Sequence, residues 1–429
     1  MPKYLDLFAG AGGLSEGFIR AGYEPVAHVE MDAAACYTLK TRAAYHWLKK
    51  QQNLVPYTRY LKGEISRTDF YDLIPEEILG SVLNYEISQE TLPSIFKDID
   101  ALLGNEKLDL IVGGPPCQAY SIAGRARSES KMVGDKRNYL YKLYAEFLKK
   151  YQPKYFVFEN VLGLLSARDE DGTLHFDNMR KLFKTCGYTT DFRPLNASDY
   201  GVLQNRKRII LIGYRGEKTD FYPEIPVVKS KHKVGELFCD LPPIKAGEGV
   251  ITPVETAHYT GKYLFSSKIK EYDKEAVTFH QARPNTAQDL EIYRIVVDTW
   301  NKSKTRIAYT DLPERLRTHN NTKSFLDRFK VVAGNLTCAQ TVVAHISRDG
   351  HYFIHPDIRQ NRSLTPREAA RIQTFPDNYY FESVTGKPSR TLAYKQIGNA
   401  VPVCLAYIIA DALLVRFTEG DKNVEKSNT

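Results

Sequence analysis

The stretch that decides the fold is Tyr4-Leu5-Asp6-Leu7-Phe8-Ala9-Gly10-Ala11-Gly12-Gly13, at the start of the chain. Its first half has the composition of a short buried strand, and residues 14–20, after the glycine-rich turn, have helical spacing. Glycines let a backbone approach a ligand closely, and a helix amino terminus offers free N–H groups. This order is typical of α/β folds that bind an adenosine-containing cofactor. A tight structural turn without a ligand explains these residues alone equally well.

The strand and helix pattern continues outward from this stretch. Further strand-like segments, separated by longer intervals, are 24–30, 108–112, 155–158 and 208–212. Strands spaced by helices imply right-handed crossovers and a mostly parallel sheet. We therefore predict an α/β, Rossmann-like domain over 1–215, completed by 361–417. The polar interval 41–105 is interpreted as packing helices inserted on the flank of the sheet.

The alternation stops at residue 216. Residues 216–360 hold many prolines, lysines and threonines without a strand–helix rhythm, which predicts a separate, smaller domain. Helical spacing returns after Pro366, and 403–417 is predicted to be the last helix. The polar tail 418–429 is predicted to be disordered.

Composition limits the class of protein. A chain of 429 residues is too long for one typical core, and 59 basic against 51 acidic residues give a net charge of +8, which is compatible with a polyanionic partner. No apolar run stands out as a bilayer-spanning segment, and Met1–Asp6 does not resemble a signal peptide, so we expect a cytosolic protein. The six cysteines are scattered singly, which indicates neither a zinc site nor a disulfide framework. Most of them are expected to be small buried residues.

One acid and one cysteine lie where strands of such a sheet end. Glu30 closes the second strand, and an acid at that position typically binds ribose hydroxyls, although it can also cap the strand end. Cys117 follows a strand in Gly113-Gly114-Pro115-Pro116-Cys117-Gln118, where the two prolines stiffen the approach. Its thiol can act as a nucleophile if its pKa is lowered. The alternative for a lone cysteine is a small buried side chain.

Two further segments carry charged groups at strand ends. Glu159 follows a strand in Phe158-Glu159-Asn160-Val161, where a carboxyl group can hold a proton for a ring nitrogen or simply cap a helix. Arg206 and Arg208 alternate on a strand, so we expect both side chains to point the same way. They can bind a carbonyl oxygen, a phosphate or Glu159, or form a solvated basic edge.

The combination resembles a known family. The segments Phe8–Gly13, Pro115–Gln118, Glu159–Val161, Gln204–Arg208 and Gln396–Val401 occur in the order found in cytosine-C5 DNA methyltransferases, particularly the bacterial enzymes of restriction–modification systems. The resemblance covers 1–215 and about 361–415.

By this resemblance the cofactor is S-adenosyl-L-methionine. Phe8 would stack on its adenine, the glycine-rich turn would hold its amino-acid end, and Glu30 would take the ribose hydroxyls. The family's Gly-Asp-Ile segment, which lies near the adenine amine, has Gly63-Glu64-Ile65 as its nearest match. The residues so assigned to the cofactor are Phe8, Ala9, Gly10, Ala11, Gly12, Gly13, Glu30, Glu64, Pro116 and Asn399.

The resemblance also implies the chemistry. Cys117 would attack C6 of cytosine, Glu159 would protonate or hydrogen-bond N3, and Arg208, with Arg206 beside it in the catalytic set, would hold O2. The target base would flip out of the duplex. A basic segment, 122–138, would be a closing loop with phosphate contacts. No metal is implied.

The implied substrate is double-stranded DNA. Residues 216–360 would read bases in the major groove, and Thr341-Val342 resembles a dipeptide that some members place beside the flipped base. A partner restriction endonuclease, a bacterial cytoplasmic location and a monomeric enzyme are expected by family. The alternatives are a transfer-RNA methyltransferase of the same fold and a catalytically silent DNA-binding relative. A nicotinamide dehydrogenase would leave the Pro-Pro-Cys and Glu-Asn-Val segments unexplained.

Overall fold

The structure is a computed structural model, and it describes residues 1–116, 139–169, 171–320 and 325–427, with side chains as far as Phe417. Cys117 and the predicted closing loop 122–138 lie outside the described residues.

A seven-stranded sheet forms the centre of the fold. Its strands are β1 (Lys3–Leu7), β2 (Glu24–Glu30), β3 (Val82–Asn84), β4 (Leu110–Gly113), β5 (Tyr155–Asn160), β6 (Tyr188–Asn196) and β7 (Lys207–Arg215). Their spatial order is β3-β2-β1-β4-β5-β7-β6. Strands β1 to β5 are parallel, whereas β7 runs antiparallel to both β5 and β6. The predicted mostly parallel sheet is confirmed, and the carboxyl ends of its parallel strands meet at one edge.

Helices cover both faces of this sheet. The helices of the described part of the chain are α1 (Gly13–Arg20), α2 (Ala33–Lys50), α3 (Val55–Leu61), α4 (Arg67–Tyr71), α5 (Glu76–Gly80), α6 (Leu92–Leu103), α7 (Leu140–Tyr151), α8 (His175–Thr185), α9 (Tyr263–Ser266), α10 (Ala287–Ser303), α11 (Pro366–Ile372), α12 (Arg390–Asn399) and α13 (Val403–Ser427). Leu5 and Leu7 of β1 pack on the side of α6, α7 and α8, whereas Tyr4 packs on the side of α1 and α13. Burial on both faces explains why the parallel strands are almost continuously apolar.

The inserted interval 41–105 contains more than helices. Strand β3 lies within it and pairs with β2, with Asn84 opposite Glu30. A strand of three residues is too short to show periodicity, which is why the sequence pattern did not predict it. Strand β6 was also missed.

The interval 216–360 contributes to more than one core. Helix α10 packs with residues 329–354 in a core of its own, which includes Tyr293, Trp300 and Ile354. Residues 234–279, by contrast, share a core with α2, α3 and α11. A two-stranded ribbon, β8 (Gly249–Val250) and β9 (His280–Gln281), lies in this region.

The last helix differs from its prediction. Helix α13 continues to Ser427, so the backbone of most of the predicted disordered tail is helical. Its Glu and Lys residues are good helix formers, and adding residues to an existing helix is easier than starting one. Within the described residues, Arg390–Phe417 is the one segment long and apolar enough to span a membrane by length and composition. Leu405, Ile409 and Leu413 in it are fully buried against the sheet, and this core position accounts for the apolar composition.

A buried ionic cluster holds α11 in place. Arg371 contacts Asp240 at 2.5 Å and Asp377 at 2.6 Å, and Lys270 contacts Asp240 at 2.8 Å. All four side chains are fully buried. The cluster therefore holds α11 against the interval 234–279.

Replacing Arg371 with alanine is expected to lower the free energy of unfolding by about 3–5 kcal/mol, because two carboxylates would remain buried without their guanidinium partner. Urea unfolding followed by circular dichroism measures this. Arg359→Ala is the control, because Arg359 pairs with Asp357 while 87% exposed, and such pairs contribute little. Equal unfolding midpoints for the two variants would contradict the role given to the cluster.

Candidate functional site

The glycine-rich turn at the end of β1 has an unusual backbone. Phe8, although not a glycine, has φ +58°, and Gly10 and Gly12 have φ +55° and +78°. A Cβ on Gly12 would lie 2.8 Å from both the Leu39 Cδ2 and the Tyr379 hydroxyl, whereas nothing lies within 4 Å of a Cβ placed on Gly10. The turn is thus packed tightly at Gly12 and leaves open space next to Gly10.

Glu30 is tied to this turn. Its Oε2 accepts a hydrogen bond from the Gly10 N–H at 2.8 Å, and its Oε1 accepts one from the Asp32 N–H at 2.8 Å. Burial raises the pKa of Glu30. Each carboxylate oxygen keeps a second lone pair, so Glu30 can still accept a hydrogen bond from a hydroxyl group.

Asp6 is a second acid of this region, and the sequence pattern gave it no role. It is almost completely buried, and neither of its carboxylate oxygens has a hydrogen-bond partner in the described part of the chain. Burial raises the pKa of Asp6 well above its usual range. A buried carboxyl without a partner costs free energy, so it marks a position that a ligand can complete. The sequence signal that could have identified Asp6 is an acid within an otherwise apolar strand.

Glu159 and Arg208 form an ion pair at the same edge. The Arg208 Nε lies 2.6 Å from the Glu159 Oε1, and both side chains are mostly buried, with 12% and 13% exposed. Glu159 is the penultimate residue of β5, and Arg208 is the second residue of the antiparallel β7. The sequence hypothesis that an arginine of this segment binds Glu159 holds for Arg208.

The segment that leads to Cys117 lies against this pair. A Cβ on Gly114 would be 2.6 Å from the Glu159 Oε2, so only glycine lets the chain pass this close. The Asn160 side chain donates a hydrogen bond to the Pro115 carbonyl at 3.2 Å. Pro116, the last described residue before Cys117, is half-buried.

Arg206 does not join the pair, and the prediction that it points with Arg208 was wrong. Strand β7 begins at Lys207, so Arg206 precedes it and does not follow the alternation of the strand. Its guanidinium is buried and donates to the Val342 carbonyl at 2.6 Å and to the Gly398 carbonyl at 3.5 Å. Arg206 thus positions two other segments.

The first of these segments is Thr341-Val342. The Thr341 hydroxyl donates to the Asn205 carbonyl, and the Val342 N–H donates to the Gln204 side chain at 2.8 Å. The dipeptide singled out in the sequence therefore lies beside the segment that carries Arg208.

The second is the end of α12, which carries Asn399. A Cβ on Gly398 would be 2.3 Å from the Ala344 nitrogen, and one on Gly13 would be 2.4 Å from the Val401 carbonyl. Asn399 is exposed. These close approaches bring the carboxy-terminal motif against the glycine-rich turn.

Glu64 does not follow a strand of the sheet. It is in the loop between α3 and α4, half-exposed and 3.5 Å from Arg59. The acid that follows β3 is Glu86, in Asn84-Tyr85-Glu86-Ile87, and the Tyr85 N–H donates to the Glu30 carbonyl at 3.1 Å. Glu86-Ile87 can be read from the sequence. Because β3 was not predicted, the pair could not be recognised as following a strand.

The other cysteines show no shared pattern. The five described cysteines are free, only Cys36 is buried, and Cys239 is exposed, so the expectation that most are buried was wrong. No cluster of three or more potential metal ligands occurs among the residues that the structure describes.

The fold and this edge define a Rossmann-like enzyme class, with a glycine-rich turn and an acid–arginine pair at the carboxyl ends of one sheet. A family model described as C-5 cytosine-specific DNA methylase matches residues 2–55 and 84–414, and the chain belongs to this family. It is therefore a DNA cytosine-5 methyltransferase that uses S-adenosylmethionine. The family model leaves residues 56–83 unmatched, and these hold all of α3 except its first residue, all of α4 and α5, and the first two residues of β3.

Relatives match over nearly the whole chain. The type II methyltransferase M.Bpa9945I of Bacillus paralicheniformis is 39% identical over 448 residues, covering 95% of this chain and 98% of the relative. The type II methyltransferase M.NgoPII of Neisseria gonorrhoeae is 30% identical over 427 residues, covering 96% and 95%.

Solved structures show the same fold. A protein described as a prophage-encoded DNA modification methyltransferase (E. coli) superimposes with a TM-score of 0.63 at 21% identity, over 97% of this chain and 100% of that chain. The Entamoeba histolytica methyltransferase EhMeth gives a TM-score of 0.51 at 14% identity, over 97% and 99%.

Proposed function

We propose that this protein methylates C5 of a cytosine flipped out of duplex DNA at a specific sequence, with Cys117 as the covalent nucleophile. The observation that carries this proposal is the Glu159–Arg208 pair, which lies beside the chain segment leading to Cys117.

The pair suits one edge of cytosine. N3 and O2 are neighbouring atoms of that base, so a carboxyl and a guanidinium in contact with each other can address both. Glu159 as an acid would hold a proton at N3, and Arg208 would hold O2. Both interactions withdraw electrons from the ring and so favour addition of the Cys117 thiolate to C6. After methylation, loss of the C5 proton and elimination of the thiolate would restore the ring.

The residues of the turn fit S-adenosylmethionine. The open space next to Gly10 offers room, and Glu30 keeps acceptor positions for hydroxyl groups. The carboxyl of Asp6 offers a buried hydrogen-bonding group without a partner in the described residues. When bound, the cofactor supplies an electrophilic methyl group on a cationic sulfur. We assign ribose binding to Glu30 and the cationic amino-acid end to Asp6. Glu86 replaces Glu64 as the acid nearest the adenine.

Asp6→Asn is expected to weaken S-adenosylmethionine binding about tenfold or more, since hydrogen bonds to charged groups contribute about 1.5–3 kcal/mol. The same change should not destabilise the cofactor-free protein at neutral pH. The raised pKa means that the folded protein binds a proton more tightly than the unfolded chain, so the stability of the wild type falls as pH rises above the usual aspartate pKa of about 3.9.

Calorimetric titration with cofactor and urea unfolding at pH 5 and pH 7 measure both effects. The variant should lose less stability than the wild type between these pH values. A variant that is less stable at pH 7 and binds cofactor normally would assign Asp6 to the fold instead.

The type II relatives support a finer assignment. We infer that the enzyme is the modification half of a bacterial cytoplasmic restriction–modification pair, that it acts as a monomer, and that it protects DNA from a cognate endonuclease.

Incubation with tritiated S-adenosylmethionine and either duplex DNA or transfer RNA tests the proposal. Label in DNA, recovered as 5-methylcytosine, is the expected result. Label only in RNA would support the proposed chemistry but contradict DNA as the substrate. No label in either, with cofactor binding intact, would favour a silent DNA-binding relative.

A further inference from the structure

A polar cavity lies beside the start of α12. It has a volume of about 310 Å³, and three arginines line it: Arg283, Arg348 and Arg390. The helix that begins there ends at Asn399, beside the glycine-rich turn, so about 14 Å of helix separates the cavity from that end at 1.5 Å per residue. Residues 344–347 run beside α12 between the two places, since Ala344 contacts Gly398.

The three guanidinium groups have no carboxylate partner in the described ranges. Arg283 donates to the Ile346 carbonyl and lies 4.9 Å from the centre of the Tyr394 ring. Arg390 donates to the Ala282 carbonyl. These two are fixed by backbone groups, and neither contact neutralises the charge.

Arg348 is the exposed member of the set, and its side chain makes no hydrogen bond or ion pair with any described residue. Of the two acids of the cavity, Asp349 pairs with Arg328, whereas Asp289 keeps its charge, because burial lowers the pKa of His351, which lies 4.0 Å from it. Three arginines thus face one acid without a cationic partner. The local charge is therefore positive and open to an anion.

We propose that this cavity binds a backbone phosphate of the DNA strand, a few nucleotides from the flipped cytosine. The inference rests on the proposed function. A strand advances about 3.4 Å per nucleotide, so about 14 Å corresponds to roughly four nucleotides. Arg348 makes the direct ion contact, and the fixed guanidinium groups of Arg283 and Arg390 supply the field that favours it.

The test compares Arg348→Ala with Lys107→Ala. Lys107 is an exposed cation in the loop before β4, at the opposite edge of the sheet. Binding of a labelled 30-base-pair duplex of mixed sequence is measured by fluorescence anisotropy between 50 and 200 mM KCl. Loss of one phosphate contact should reduce the slope of log K against log salt by about 0.9, and should weaken binding about five- to tenfold near 0.1 M salt. Arg348→Lys, which keeps the charge, should retain most of the slope.

Three results would overturn the proposal. The first is an Arg348→Ala variant whose slope and affinity match those of Lys107→Ala. The second is a loss of slope in Arg348→Lys as large as in the alanine variant. The third is binding of inorganic phosphate to the wild type that Arg348→Ala removes while duplex affinity stays unchanged, which would assign the cavity to a free anion. Tritium transfer by the same wild-type preparation separates these outcomes from failure of the proposed function.

Discussion

Cys117→Ser is expected to reduce methyl transfer to duplex DNA to background while cofactor affinity and DNA affinity stay near those of the wild type. A thiol ionises near neutral pH when its surroundings lower its pKa, whereas a serine hydroxyl has no base among the assigned groups to activate it. Without addition at C6, C5 of cytosine is too weak a nucleophile to accept the methyl group. Label incorporation and cofactor titration, run side by side, measure the two properties.

The matched control is Cys239→Ser, at the exposed cysteine of the interval 216–360. It should methylate DNA at the wild-type rate. Methylation by Cys117→Ser at a rate comparable with that of Cys239→Ser would exclude covalent catalysis by this thiol, whatever the fold.

Glu159→Gln is expected to lower the single-turnover rate by about 10²–10⁴, the range that general acid–base catalysis contributes. The amide can still hydrogen-bond N3 but cannot give it a proton, and the substitution leaves Arg208 without its carboxylate partner at 2.6 Å. The affinity for S-adenosylmethionine should change little, because Glu159 is assigned to the base and not to the cofactor.

Rapid-quench measurement of methyl transfer under single-turnover conditions gives this rate. Glu106→Gln, which removes a surface carboxylate paired with Lys3, should behave like the wild type. If Glu159→Gln affects only the DNA affinity and leaves the rate intact, the residue binds substrate and does not take part in the chemistry.

Residues tied to strand ends were predictable from the sequence. Glu30, Glu159 and Arg208 follow or begin strongly apolar strands, and in a mostly parallel sheet such ends meet at one edge, whatever the packing elsewhere. The fold class and most of this edge followed from that rule.

Residues whose role depends on tertiary contacts were not predictable. Arg206 lies one residue before its strand, so alternation gave it the wrong direction. Glu64 was named because Gly63-Glu64-Ile65 is the nearest match to the family's Gly-Asp-Ile segment, and the three-residue strand β3 gave no pattern that would point to Glu86. Asp6 stands out only once the partners of every neighbouring group are known, since an unsatisfied carboxyl is a property of the folded chain.

The buried guanidinium of Arg206 also sets a rule for protein engineering. It holds the carbonyl oxygens of Val342 and Gly398, so the dipeptide at 341–342 and the helix that ends beside the glycine-rich turn share one anchor. When the interval that begins at residue 216 is exchanged between related enzymes, its carboxy-terminal junction should therefore lie before Thr341. Residues 341–344 then stay with the recipient. A junction placed after Ala344 would import a segment shaped against a foreign helix, and the hybrid would lose alignment of its reacting groups before it lost any contact with DNA.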